Sequence, residues 1–231
     1  MMNTHRAEVA RVYLPATLVF LASVVGTVAW CGAMGAMHCA GMPWMIMPGQ
    51  TWLGATAEFT GMWALMMIAM MMPVLAPELV RRRRDLAGMS VWKFGAAYFA
   101  VWTLPGFLLF PIGVAFADLY SPVMGALVVM IAGGLQFTRW KSRQLVCCRT
   151  GSSKGDAWRA GARLGVRCVY CCAGLTAALV AIGVMDLRAM ALVTIAISAE
   201  RLASSRRVAH MIGAALILTG VALLLRAMSF T

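Results

Sequence analysis

The stretch Glu58-Phe-Thr-Gly-Met-Trp-Ala-Leu-Met-Met-Ile-Ala-Met-Met-Met-Pro-Val-Leu-Ala-Pro-Glu-Leu79 decides the fold class. It contains no lysine or arginine, and its two carboxylates stand at its ends. Four arginines, Arg81–Arg84, follow at once. About 20 apolar residues are what an α-helix needs to cross the ~30 Å hydrocarbon layer of a bilayer. A run of arginines then holds the end of that helix among the lipid headgroups. Pro73 and Pro77 are expected to bend the end nearest the arginines.

The rest of the chain repeats this pattern. Of its 231 residues 62% are hydrophobic and 12% charged, and the mean hydropathy is +0.82. That composition excludes an ordinary soluble domain. Seven spans are expected, at about 12–33, 58–79, 91–113, 121–138, 166–184, 187–203 and 208–226. They form one all-α, polytopic membrane domain over residues 1–231. The first span is too long for a signal peptide, lacks a small-residue cleavage site after it, and reads as a retained helix. An outer loop covers 34–57 and a basic inner loop 139–165.

The net charge of +12 invites a nucleic-acid reading, but its distribution argues against one. With seven spans, Arg188 and Arg226 fall on one side and the other cations on the opposite side. The latter are Arg6, Arg11, Arg81–Arg84, Lys93, Arg139, Lys141, Arg143, Arg149, Lys154, Arg159, Arg163, Arg167, Arg201, Arg206 and Arg207. Cytoplasmic loops carry the excess of Lys and Arg. The N-terminus is therefore expected in the cytoplasm and the C-terminus outside. The expected partners are the bilayer and its anionic lipids, with no nucleic acid.

The cysteines divide along the same line. Cys31 and Cys39 fall outside; Cys147, Cys148, Cys168, Cys171 and Cys172 fall inside, where a reducing cytosol keeps thiols. Helical residues at i, i+3 and i+4 share a face, which groups Cys168, Cys171 and Cys172. Soft thiolates select copper(I), zinc or iron–sulfur clusters. Cys147 or Cys148 is the expected further ligand. Arg163, Arg167 and a nearby helix N-terminus are expected to favour the thiolate. Gln136, Glu78 and Glu200 are expected at the same depth, and an ionisable group inside a membrane is a functional candidate. The competing reading is that cysteine packs well between membrane helices.

Outside, the uncharged loop carries Met34, Met37, His38, Cys39, Met42, Met45 and Met47. Thioethers are good ligands for copper(I), so the loop reads as a capture surface or as an apolar interfacial segment with a short helix. Trp44 and Trp52 are interface anchors. Met66, Met67, Met70 and Met71 repeat along one side of the second span and either relay a soft ion or pack the helix. Glu58 and Asp118 read as solvated caps, and His210 as an interfacial residue.

Trp63-x2-Met66-Met67-x2-Met70-Met71-x-Pro73, the basic loop ending Cys148-Arg149, Cys168-x2-Cys171-Cys172, Gly183-x-Met185-Asp186-Leu187 and Glu200 together resemble one family. It is the bacterial family of predicted metal-binding integral membrane proteins, a domain of unknown function. The resemblance covers Trp30 to about Leu202. It implies a multi-pass protein of the bacterial inner membrane with a metal site. Family members carry two spaced cysteines before the loop arginine; here Gln144 takes the first place and Cys147 adds a thiol.

The reading that follows is a binding protein for a soft transition metal, copper(I) ahead of zinc, which holds, transports or delivers the ion. Its ligands come from Cys147, Cys148, Cys168, Cys171, Cys172 and Glu200 inside, and Met34, Met37, His38, Cys39 and Met42 outside. Met66, Met67, Met70 and Met71 line the way between. A metal chaperone or partner membrane subunits are the expected protein partners. No nucleotide-binding loop or hydrolytic triad points to an enzyme. Two alternatives stand beside this reading: a thiol-redox membrane protein using the inner cysteines, and a structural or assembly subunit of a membrane complex.

Overall fold

The computed structural model describes residues 2–37, 49–82, 89–117, 120–141, 143, 156–184, 186–203 and 205–229. Side chains at 2–11, 33–37 and 89 lie outside that description. There is no strand among the described residues. The helices are α1 (Met2–Met37), α2 (Trp52–Arg82), α3 (Met89–Ala115), α4 (Pro122–Leu135), α5 (Ala157–Ile182), α6 (Leu187–Ala203) and α7 (Arg206–Ser229).

Five stretches are long and apolar enough to cross a membrane: Val12–Gly32, Trp52–Arg82, Ser90–Ala115, Ala157–Ile182 and Arg206–Ser229. Pro122–Leu135 is apolar but short. The seven-span expectation is thus met by length and composition in five places. Rows of exposed apolar side chains run along α1 (Leu14, Leu18, Leu21, Val25), α3 (Leu104, Phe107, Leu108) and α7 (Met211, Leu218, Leu225). Surfaces of that kind suit lipid rather than water. Polar side chains on these helices are turned back on their own backbone. Ser23, Thr27, Thr56, Thr103, Thr194 and Thr219 each donate to the carbonyl four residues earlier, which satisfies a hydroxyl without water.

Three boundaries differ from expectation. Helix α1 continues through Met37, so Met34 and Met37 stand on a helix rather than in a loop. Helix α2 starts at Trp52, ahead of residue 58. Helix α5 starts at Ala157 and absorbs the end of the basic loop, with Trp158 in its first turn. None of the three extensions contains a proline, and in each the helix propagates past the point where hydropathy falls.

The chain forms two compact units. The first comprises residues 1–114 and 152–166, the second 115–151 and 167–231.

In the first unit α1 lies along α2. Ala16, Met72 and Ala76 pack together with Phe20, Ile68 and Phe99 around them. The Trp63 indole N–H donates to the carbonyl of Trp102 at 2.9 Å, and the ring lies against Gly106, where a Cβ would collide with it. Phe59 stacks on Trp63 and meets Phe110, which in turn meets Trp52. Gly161, at the start of α5, lies against the carbonyl of Phe94 on α3. Four-arginine anchoring is only part of the picture at the end of α2. Arg82 is buried, held by Glu78 at 2.6 Å and stacked over Phe94, while Arg81 reaches the same carboxylate at 3.2 Å. Glu78 is therefore occupied structurally. At the other end of α2, Glu58 accepts a hydrogen bond from Gln50.

In the second unit α4 lies along α7 through glycines. A Cβ on Gly133 would approach the Gly213 carbonyl within 2.8 Å, whereas Gly134 faces open space. Val129, Ala132 and Ala178 form the adjoining core with Leu216 and Leu223. Ser121 caps α4, with Pro122 in its first turn, by accepting from the Met124 N–H. Gly183, at a positive φ of 139°, ends α5. Asp186 then opens α6 by accepting from the N–H groups of Arg188 and Ala189, as an N-cap carboxylate does. His210 stacks on Phe137, which keeps it at a helix interface.

Candidate metal centre

The inner cysteines sit well inside α5. Cys168 lies about 16 Å along the axis from Ala157, at 1.5 Å per residue. The helix N-terminus expected beside the thiols is therefore too far away to act on them. The face is set by spacing: Cys168, Cys171, Cys172, Leu175, Ala178 and Leu179 are all buried, while Val166, Arg167 and Tyr170 are exposed. Arg163 is likewise exposed. Neither arginine shares the buried face of the thiols, contrary to expectation.

Cys168, Cys171 and Cys172 carry no disulfide. Cys168 and Cys172, one helical turn apart, bring their sulfurs to 3.9 Å, with the residues 0% and 2% exposed. Cys172 interacts with Cys171 as well. The three do not close on one point, however. Among the described residues no group of three His, Cys, Asp or Glu side chains is placed to hold a metal ion.

A two-donor set fits one class of ion better than another. Two sulfurs 3.9 Å apart, each about 2.3 Å from a shared ion as in thiolate–metal sites, subtend roughly 115° there. Zinc takes four ligands in a structural site, whereas soft thiolates suit copper(I). That angle is far from the near-linear arrangement of a two-coordinate ion and leaves room for a further donor on either metal.

The cation that does reach this region is Lys141. Its side chain turns inward from the helical turn after α4, and its ammonium lies 2.8 Å from Glu200 Oε2. It also donates to the backbone carbonyl of Cys171 at 2.7 Å. The Lys141 and Glu200 side chains are 5% and 2% exposed. Glu200 Oε1 accepts no hydrogen bond. The buried Gln136 amide lies beside the Glu200 carboxylate. Four polar groups of the second unit thus gather around the thiols: Lys141, Glu200, Gln136 and the Cys171 carbonyl.

Of the inner candidates, the structure brings together Cys168, Cys171, Cys172 and Glu200. Cys147, Cys148, His38, Cys39 and Met42 lie outside the described residues. Met34 and Met37 are described by backbone alone. Met66, Met67, Met70 and Met71 belong to the first unit, where all four are at most 3% exposed. Lys141 was missed by sequence reasoning because it is one of eight cations between Arg139 and Arg167. One signal was present: a lone carboxylate in an apolar helix demands a buried partner, and Glu200 is that carboxylate.

The family PpoB2, described as a copper chaperone, matches residues 60–223. No curated protein and no solved structure matches the chain. The matched segment contains Trp63, the methionine block, Cys168, Cys171, Cys172 and Glu200, on which the resemblance to a metal-binding family rests. With well over half of its length matched, the chain belongs to the PpoB2 copper chaperone family.

Proposed function

We propose that this chain is a multi-pass membrane protein that binds copper(I) and hands it on. The Cys168–Cys172 pair is the holding site, each thiol giving up its proton as it becomes a ligand. The 3.9 Å separation of these two buried sulfurs, in a chain of a copper chaperone family, carries the reading. A site with few ligands suits a chaperone, since an incoming thiolate has room to join the ion before an outgoing one leaves.

Further soft donors are assigned roles around this pair. Met34, Met37, His38, Cys39 and Met42 capture the ion on the outer side. Met66, Met67, Met70 and Met71 offer thioethers along α2. Cys147 and Cys148 receive the ion on the cytoplasmic side, facing a soluble acceptor. The N-terminus lies in the cytoplasm, and the basic loops lie on anionic lipid of a bacterial inner membrane.

Copper measured by mass spectrometry on detergent-purified protein, loaded with copper(I) under reductant, tests this. Wild type is expected to retain copper and the Cys168→Ser/Cys172→Ser chain to lose it. Equal copper in the two would sink the proposal.

A further inference from the structure

Cys168, Cys171, Cys172 and Glu200 are four donors of the kinds that zinc accepts, gathered within one compact unit. Two features keep them from forming a zinc site. Cys172 meets both Cys168 and Cys171, but among the described residues no three donors are placed to hold a metal ion. Glu200, which lies within electrostatic reach of Cys171, has one oxygen bound to the Lys141 ammonium at 2.8 Å.

We propose that Lys141 is a specificity-determining residue: by engaging the Glu200 carboxylate it withholds the donor that would complete a four-ligand zinc site beside the three thiols, and so reserves the thiols for a monovalent soft ion. This rests on the copper reading above and deepens it.

The argument is one of charge in a dry place. For Glu200 to join a metal at the thiols, it must leave Lys141. The ammonium would then be left with the Cys171 carbonyl alone, at 2.7 Å, in a site where its side chain is 5% exposed. Leaving a buried charge without its counter-charge is strongly unfavourable. Copper(I) needs no such rearrangement, because soft thiolates alone satisfy it. Zinc does need it, because the nearby thiols supply too few converging donors. The lysine stem also fastens the turn after α4 to α5 and α6 at the level of the thiols, which holds the carboxylate in place.

The test is equilibrium dialysis of the full chain in detergent against zinc(II) alone and copper(I) alone. Wild type, Lys141→Met, Lys141→Gln, Lys141→Arg and Lys141→Met/Glu200→Gln are compared. Zinc affinity is expected to rise about tenfold or more in Lys141→Met and Lys141→Gln, given the cost of stranding a buried charge that these variants remove. Copper(I) affinity is expected to hold in both. Lys141→Arg should keep the wild-type zinc affinity, and the double variant should return to it. Lys141→Gln retains a donor to the carboxylate and serves if Lys141→Met does not fold. Unchanged zinc affinity in the variant that folds overturns the proposal, as does a gain that survives Glu200→Gln. Wild type that takes up no copper(I) overturns instead the reading beneath it, and this one with it.

Discussion

Lys141 Nζ and Glu200 Oε2 stand 2.8 Å apart with both side chains removed from solvent. The pair joins the turn after α4 to α6, and the same ammonium reaches α5 through the Cys171 carbonyl. Breaking such a pair by removing one partner costs about 3–5 kcal/mol, because the other charge remains buried. Lys141→Met and Glu200→Met are each expected to lose stability of that order. Lys141→Met/Glu200→Met is expected to recover most of it. Thermal unfolding of the four proteins in detergent checks this. A double variant no more stable than the weaker single variant would contradict the coupling.

The thiols are expected to differ in weight. Cys168 and Cys172 form the close pair, while Cys171 meets Cys172 and lies within electrostatic reach of Glu200. Cys168→Ser and Cys172→Ser should each abolish retained copper(I), since an alcohol is a poor ligand for a soft ion. Cys171→Ser should keep most of it. Copper content by mass spectrometry after dialysis against a competing chelator separates the three. Equal losses in all three variants would instead indicate a closed three-thiol site.

Helix α2 carries a close approach that a single methyl group tests. Gly106 on α3 lies against the Trp63 indole, and an added Cβ would overlap its ring and Cβ. The indole is also held by its N–H bond to the Trp102 carbonyl, so it cannot easily retreat. Gly106→Ala is expected to cost about 1–3 kcal/mol, the usual range for overpacking. Gly134→Ala, where a Cβ meets nothing within 4 Å, should be neutral or slightly stabilising. A melting comparison of the two variants checks the contrast.

The long apolar helices were legible because hydropathy and length act locally along the chain. The thiol face was legible for the same reason, as i, i+4 spacing is a property of one helix. Where the site departs from expectation, the cause lies between helices. Arg163 and Arg167 are near Cys168 in sequence and drew attention as its cations. Helical rotation places both on the exposed side. Lys141, thirty residues away from Cys171, reaches it only because α4, α5 and α6 meet, and no local pattern records that meeting. The helix start was misplaced because hydropathy marks where a segment becomes apolar, and α5 propagates well beyond that point toward Ala157. Glu78 and Glu200 look alike in sequence, each a carboxylate near the end of an apolar helix. Partners three and four residues away claim the first, and a distant lysine claims the second.

The sidedness of the segment between α4 and α5 decides how many helices cross the membrane. Helix α4 has 14 residues, about 21 Å at 1.5 Å per residue, against a hydrocarbon layer of about 30 Å. By length alone it falls short. Its flanks argue that it crosses nonetheless. Arg139, Arg143, Arg149 and Lys154 follow it without a compensating run of acidic residues, and cations in a short loop hold that loop in the cytoplasm. Residues 139–141 continue in helical conformation, which adds reach, and a short helix is accommodated by local thinning and by flanking side chains that extend to the interface. The expectation is therefore that residues 144–155 face the cytoplasm. A fluorescent protein that matures only in the cytoplasm, fused after Gly151, should fluoresce. Alkaline phosphatase, which folds only outside, should be inactive at that position and active when fused after Thr231. The opposite pair of outcomes at Gly151 would place the loop outside and reduce α4 to a helix that enters the bilayer without crossing it.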